Sequence, residues 1–160
     1  MKNVLVTGGA GYLGSLLCGD LLNLDYKVTI LDKFKFGVSS ILHIIDKKNL
    51  TVIRGDIRDS SNQSLLKKFD IIINLAGIVG YPACDEDRWE ATSVNVDAVK
   101  EMSKMLSPNQ LFIQPSTGSS YGKVNDICTE ETPINPLTLY GSNKAEAEKY
   151  ILDKNAISLR

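Results

Sequence analysis

The chain has 160 residues, of which 43% are hydrophobic and 23% charged, with a formal net charge of −1. That size and composition fit one globular domain around one core, and a near-neutral chain without a basic block argues against nucleic acid as its partner. Cys18, Cys84 and Cys128 are odd in number and widely spaced, which fits reduced thiols in a cytoplasm better than a disulfide framework or a metal site, and no segment is apolar and long enough to suggest a membrane span or a signal peptide.

Val4 to Val6 read as a buried strand that runs into Thr7-Gly-Gly-Ala-Gly-Tyr-Leu-Gly14. Gly8, Gly11 and Gly14 fall at i, i+3 and i+6, a spacing that lets backbone turn sharply, approach a ligand and pack a helix on its strand. With Tyr12 and Leu13 they open a helix whose free N–H groups favour a phosphate. Leu13, Leu16, Leu17, Leu21 and Leu24 give that helix an apolar face for the core.

Lys27 to Leu31 form the next strand, ending at Asp32, which lies 21 residues beyond Gly11. A carboxylate at that spacing accepts from both hydroxyls of an adenosine ribose and repels a 2′-phosphate, so NAD is expected over NADP. Lys33 and Lys35 soften that preference. A helix is expected within 36–48, and its His43, the only histidine, has no acidic or thiol neighbours and reads as structural.

Leu50 to Ile53 make a third strand, followed by Gly55-Asp56-Ile57 and a helix from Ser60 to Phe69. Asp56 and Ile57 are placed to flank an adenine, while Asp59 or Ser60 caps the helix, and position alone leaves the adenine role open. Asp70 to Leu75 are apolar enough for a parallel sheet covered on both faces. Ala76-Gly77 end that strand with minimal side chains, suiting contact between Leu75-Ala-Gly77 and the middle of a dinucleotide. A loop to Asp85 then precedes one long helix, 86–106. Leu111 to Gln114 form the fifth strand, closed by Pro115 and the hydroxyl-rich Ser116 to Gly122. Asn135-Pro136 suggest a cap and first position for a helix through Tyr140, Lys144 and Ala147 to about Asp153, and Ala156 to Leu159 begin a sixth strand.

The alternation implies an α/β fold, a doubly wound parallel sheet of the Rossmann type, whose strand ends gather the glycine turn, Asp32, Asp56, Ala76-Gly77 and Thr117 on one edge. Tyr140 and Lys144 are four apart and share a helix face. A nearby ammonium stabilises a phenolate, so Tyr140 is the candidate general acid/base, Lys144 its partner and a ligand for the nicotinamide ribose, and Thr117 the hydroxyl that holds a substrate oxygen.

In this order the motifs resemble those of the extended short-chain dehydrogenase/reductases, the NAD-dependent epimerase/dehydratase family acting largely on nucleotide sugars. The resemblance rests on Thr7 to Gly14, Asp32, Gly55-Asp56-Ile57, Asn74-Leu-Ala-Gly77, Asn95, Ser116-Thr117 before Tyr121-Gly122, and Tyr140-Gly-Ser-Asn-Lys144. It implies the same roles for Tyr140, Lys144 and Thr117, and it adds Asn95 as the helix asparagine near the active site and cofactor. Dehydratases of the family follow the threonine with Asp-Glu, whereas this chain has Gly118 and Ser119, which weakens elimination and leaves epimerisation or simple sugar oxidoreduction. Gln114-Pro115 also depart from the family's apolar residue and serine.

Family members usually run to about twice this length, so residues 1–160 are expected to be the NAD-binding domain, with the C-terminal substrate domain absent from this chain. A non-catalytic NAD-binding module and a small-alcohol or aldehyde reductase are the competing readings. Cys84 reads as a packing or loop residue. Trp89, Val96 and Met102 to Met105 are either core or the face of a homodimer.

Overall fold

The computed structural model describes residues 1–125 and 127–160. Six strands, β1 (Asn3–Thr7), β2 (Lys27–Asp32), β3 (Leu50–Arg54), β4 (Ile71–Asn74), β5 (Leu111–Pro115) and β6 (Ala156–Leu159), form one sheet in the order β3-β2-β1-β4-β5-β6. Every pairing is parallel. Successive strands run outward from β1 to β3 on one side and from β4 to β6 on the other, so the crevice between β1 and β4 is the topological switch point at which such sheets bind ligands.

Strand alternation splits the core into two layers. Val4, Val6, Val28 and Ile30 point to one face, where they meet Cys18 and Leu22 of α1 (Tyr12–Asn23) and Ile41 and Ile44 of a 3₁₀ segment, Ser39–Ile44. Leu5, Leu31, Ile72 and Phe112 point to the other and meet Val99 and Met102 of α5 (Ala98–Met105) and Ala147 of α6 (Leu139–Lys149).

Several elements depart from their expected form, each for a local reason. The buried face of α1 is Gly14, Ser15, Cys18 and Leu22; of the expected leucines, Leu17 and Leu21 pack at its margin while Leu13, Leu16 and Leu24 are exposed. The helix lies so close to β1 that a Cβ on Gly14 would strike Gly8 O and stand 2.7 Å from Gly9 Cα, so small residues take the contact face. The expected helix in 36–48 is only the 3₁₀ segment, and that in 60–69 is a short α2 (Ser60–Ser64) continued as 3₁₀ turn over Leu65–Lys68.

The single long helix expected over 86–106 starts earlier and is broken. It consists of α3 (Tyr81–Glu86, with Pro82 in its first turn), α4 (Arg88–Thr92), a π-helical turn over Ser93–Asp97, and α5. Asp87 leaves helical geometry at φ −136°, ψ 87°, and its carboxylate accepts from Glu90 N at 2.8 Å, so the break ending α3 caps α4. Within the same region Val96 and Met102 are buried in the core of a single chain, which removes them from any dimer face, whereas Trp89 is exposed. The cap of α6 is Thr138, whose Oγ1 accepts from Gly141 N at 3.1 Å, and the helix ends at Lys149; Asn135 instead donates its N–H to Ser120 O at 3.0 Å.

Candidate functional site

The turn between β1 and α1 is made by backbone. Gly8 has φ +67°, and a Cβ there would stand 2.6 Å from Ala76 N, so this residue meets the end of β4 with no room for a side chain. Gly14 is bound to the same turn by the close approach described above. Gly11 differs, because a Cβ would meet only Gly8 O, at 3.1 Å, and its outer side is open. Two glycines therefore shape the cradle and the third leaves it accessible. The first helical bond is Ser15 N to Gly11 O, and among the described residues the N–H groups of Tyr12, Leu13 and Gly14 have no acceptor. Three unpaired donors at the N-terminus of a 12-residue helix fit the diphosphate of a dinucleotide.

Asp32 stands at the end of β2 beside this turn. Its Oδ2 accepts from Ala10 N at 3.0 Å and its Oδ1 from Phe34 N at 2.7 Å. Each oxygen keeps a lone pair, and the two backbone donors fix the carboxylate for a pair of ribose hydroxyls. Asp56 is far more occupied. Arg58 reaches both of its oxygens, through Nη2 at 2.7 Å and Nε at 3.0 Å, and Lys33 Nζ lies 3.2 Å away. Burial pushes the Asp56 carboxyl up, but these bonds overcome it and hold the group well below the usual carboxylate range. The neighbouring Ile57 is buried in the core beneath.

The other end of the crevice is built from side chains. Beneath the β4 end, Asn74 accepts from Thr7 Oγ1 at 2.5 Å and donates to Gln114 at 2.8 Å, so a polar bridge ties β1, β4 and β5 together below Leu75, Ala76 and Gly77. This accounts for the unusual Gln114. Asn95, on the π-helical turn, donates to Ile78 O at 2.8 Å and accepts from Ile78 N at 2.9 Å. Both ends of its amide are spent on that loop, so Asn95 holds the segment after Gly77, and its Oδ1 would lie 3.0 Å from a Cβ on Gly77.

Thr117 opens a 3₁₀ turn, Gly118–Tyr121, accepting from Ser119 N at 3.2 Å, and its side chain lies beside the Tyr140 phenol. Burial raises the phenol above its ordinary value, Thr117 pulls it down, and the Cys84 thiol pushes it up. Lys144, one turn along α6, is 9% exposed. Burial brings its ammonium down to about 8, opposed by Glu148 and Cys84, and among the described residues nothing hydrogen-bonds it. The lowering expected from Lys144 is not among the influences on the phenol; Thr117 alone pulls it down, and burial outweighs that pull. Glu148 is itself fixed by Ser116 and by Arg160, whose Nη2 lies 2.8 Å away.

Cys84, expected as a packing or loop residue, is packed into this corner. Its thiol is fully buried, donates to Ile78 O at 3.4 Å and sits near enough to act on both Tyr140 and Lys144. Nothing in the local sequence signals this, because the contact needs α3 to pack on α6. Tyr81 of the same helix is exposed, and Asp85 is paired with Arg88 at 2.6 Å. A hollow lined by Asn3, Lys27, Thr29, Lys48 and Thr51 lies at the opposite, amino ends of the strands and shares none of these groups.

The family model described as NAD dependent epimerase/dehydratase matches residues 4–157. The chain belongs to this family. An uncharacterized UDP-glucose epimerase of Bacillus subtilis, YtcB, is 29% identical over 91% of the chain and 49% of the relative. The UDP-N-acetylglucosamine 4-epimerase of Methanobrevibacter ruminantium, solved with UDP-N-acetylmuramic acid, superposes with a TM-score of 0.90 at 29% identity, over 99% of this chain and 54% of that one. The UDP-glucuronic acid 4-epimerase of Bacillus cereus, solved with UDP-glucuronic acid and NAD, gives 0.90 at 27% identity, over 99% and 55%. The chain therefore spans about half the length of these relatives. NAD is the cofactor of the family, and the glycine cradle, its free N–H groups and the unphosphorylated-ribose chemistry of Asp32 fit it.

Proposed function

We propose that residues 1–160 are the NAD-binding and proton-transfer domain of a nucleotide-sugar epimerase in which Tyr140 is the general acid/base. The observation that carries the reading is the largely buried Lys144, one turn along α6 from Tyr140, whose ammonium nothing hydrogen-bonds among the described residues. Binding a dinucleotide needs no phenol, and burying a cation without a partner lowers stability unless a ligand or a reaction uses the charge. NAD supplies a hydride acceptor that later returns the hydride, and its nicotinamide ring brings a positive charge. Tyr140 takes the proton from a sugar hydroxyl as its C–H bond is oxidised and gives it back after the ketone has presented its other face. Lys144 stabilises the phenolate and holds the nicotinamide ribose. Thr117 holds the reacting oxygen in line with the phenol.

Gly8, Gly11, Tyr12, Leu13 and Gly14 are proposed to cradle the diphosphate and Asp32 the adenosine ribose. Leu75, Ala76 and Gly77 would line the middle of the dinucleotide, with Asn95 acting through Ile78. Ile57 would offer apolar contact to adenine, with Asp56 acting chiefly through its Arg58 pair. The UDP sugars named for the relatives support a nucleotide-sugar substrate. Epimerisation is preferred to dehydration because Gly118 and Ser119 stand exposed where loss of water needs an acid. A Cβ on Gly118 would meet nothing within 4 Å, so crowding does not explain the missing side chain.

The test is turnover of UDP-glucose, UDP-N-acetylglucosamine and UDP-glucuronic acid by the full-length natural protein, with products read by mass and by NMR. A C4 epimer of unchanged mass is expected. Loss of one water would replace epimerase by dehydratase, and NAD binding without turnover would favour the module.

A further inference from the structure

Beside the proposed ribose site lies a charge cluster that the reaction does not use. Lys33 and Lys35 lie just past Asp32, and Arg58 lies in the turn after β3, whose last residue Arg54 pairs with Asp32. Three cations at this edge are what a 2′-phosphate on the adenosine would seek. All three instead converge on one carboxylate from across the crevice. Glu90 lies 3.3 Å from Lys33 Nζ, 4.0 Å from Lys35 Nζ and 3.8 Å from Arg58 Nη2.

Asp56 also meets Lys33 and Arg58, but its oxygens are filled by the Arg58 fork and backbone, at 2.7 to 3.2 Å. Glu90 is the acid that reaches the whole set. It is also rigidly presented, since its N–H is capped by Asp87 and its carbonyl accepts from Ser93, which in turn accepts from Arg58 Nη1 at 2.9 Å. Its side chain is 25% exposed, so these pairs are less screened than those of an open surface.

We propose that Glu90 is a specificity-determining residue for the cofactor, turning Lys33, Lys35 and Arg58 away from the adenosine 2′ position so that NAD is accepted and NADP refused. The inference rests on the NAD-binding reading. With Asp56 and Asp32, Glu90 makes the local charge balance three against three. Removing one negative charge leaves a net cation beside the ribose and frees the flexible Lys33 to meet a phosphate.

The experiment is titration of the 160-residue chain and its Glu90→Gln variant with NAD and NADP by calorimetry. In Glu90→Gln the affinity for NADP rises about tenfold, the scale of one charge-assisted contact, while that for NAD changes less than twofold. Adding Lys33→Met and Lys35→Met removes the gain, and raising the salt concentration shrinks it. Glu90→Asp, one methylene shorter, gives a smaller gain and guards against a folding defect in the first variant. An unchanged NADP-to-NAD ratio in both variants, or a gain that survives loss of both lysines, overturns the proposal. Wild-type protein that binds NADP as well as NAD also overturns it, whereas wild type that binds neither overturns the cofactor assignment itself.

Discussion

The two ends of the crevice solve different problems by different means. At the glycine turn the working groups are backbone N–H donors, and the side chains matter by being absent: Gly8 and Gly14 meet neighbouring backbone at distances no Cβ allows. At the Tyr140 corner the working groups are side chains from β4, α3, the π-helical turn, the β5 end and α6, and their chemistry depends on shared burial. A backbone site is rigid because the fold cannot exist otherwise. A side-chain site is tuned at the expense of stability, since Lys144 is largely buried and, among the described residues, only Glu148 and Cys84, neither hydrogen-bonded to it, favour its ammonium.

Breaking the first end should therefore cost the fold, and breaking the second should cost chemistry while sparing or helping the fold. Gly14→Val drives a side chain into Gly8 O and should abolish NAD binding, with a loss of stability of about 3 kcal/mol or more; calorimetry with urea unfolding measures both. Lys144→Met should do the reverse. The ammonium titrates at about 8 in the fold against 10.5 for a free lysine. Between those values the unfolded chain holds more proton, so native stability rises with pH across that window, and below it the full penalty of burying the charge applies. The variant should be more stable at pH 7 by about 2 kcal/mol, lose the rise above pH 8, and show little turnover in the full-length protein.

Smaller changes sharpen the contrast. Asn95→Ala strips both partners from Ile78 and should cost about 1–2 kcal/mol, with weaker NAD binding through the loosened Gly77-Ile78 segment. Asp56→Asn removes a carboxylate held below its usual range. Its contribution is present above the unfolded value near 3.8 and is lost as pH falls. The variant should be less stable at pH 7 by about 1 kcal/mol, with the difference narrowing between pH 4 and pH 2, as urea melts across that range would show.

The same contrast explains what was legible in the sequence. The glycine spacing, Asp32 at the β2 end and the six strands are written locally, because each follows from one turn or one apolar run. Tyr140 and Lys144 were legible as a pair on one helix face. Their ionisation was not, because it depends on burial supplied by α3 and the β5 end, and so the phenol is raised where proximity to a lysine predicts a fall. The reach of Cys84 and of Glu90 was invisible for the same reason. One acts on α6 and the other on residues 33, 35 and 58, across contacts with no sequence period. The leucines of α1 misled because helical spacing marks an apolar stripe without saying which stripe a close-packed sheet admits. The break at Asp87 and the π-helical turn were hidden inside an unbroken helical pattern, where an inward Asn95 and a capping Asp87 decide the path.

In the proposed mechanism NAD binding and proton transfer are separable functions of the two ends, joined at Tyr140. The most direct test is Tyr140→Phe in the full-length protein, with the epimerisation rate and the NAD dissociation constant measured on the same preparation. Loss of the hydroxyl should lower kcat by at least about 10³-fold, the scale of a positioned acid/base, with the NAD constant within about twofold of wild type, because no cradle group is touched. Turnover at the wild-type rate would contradict the account.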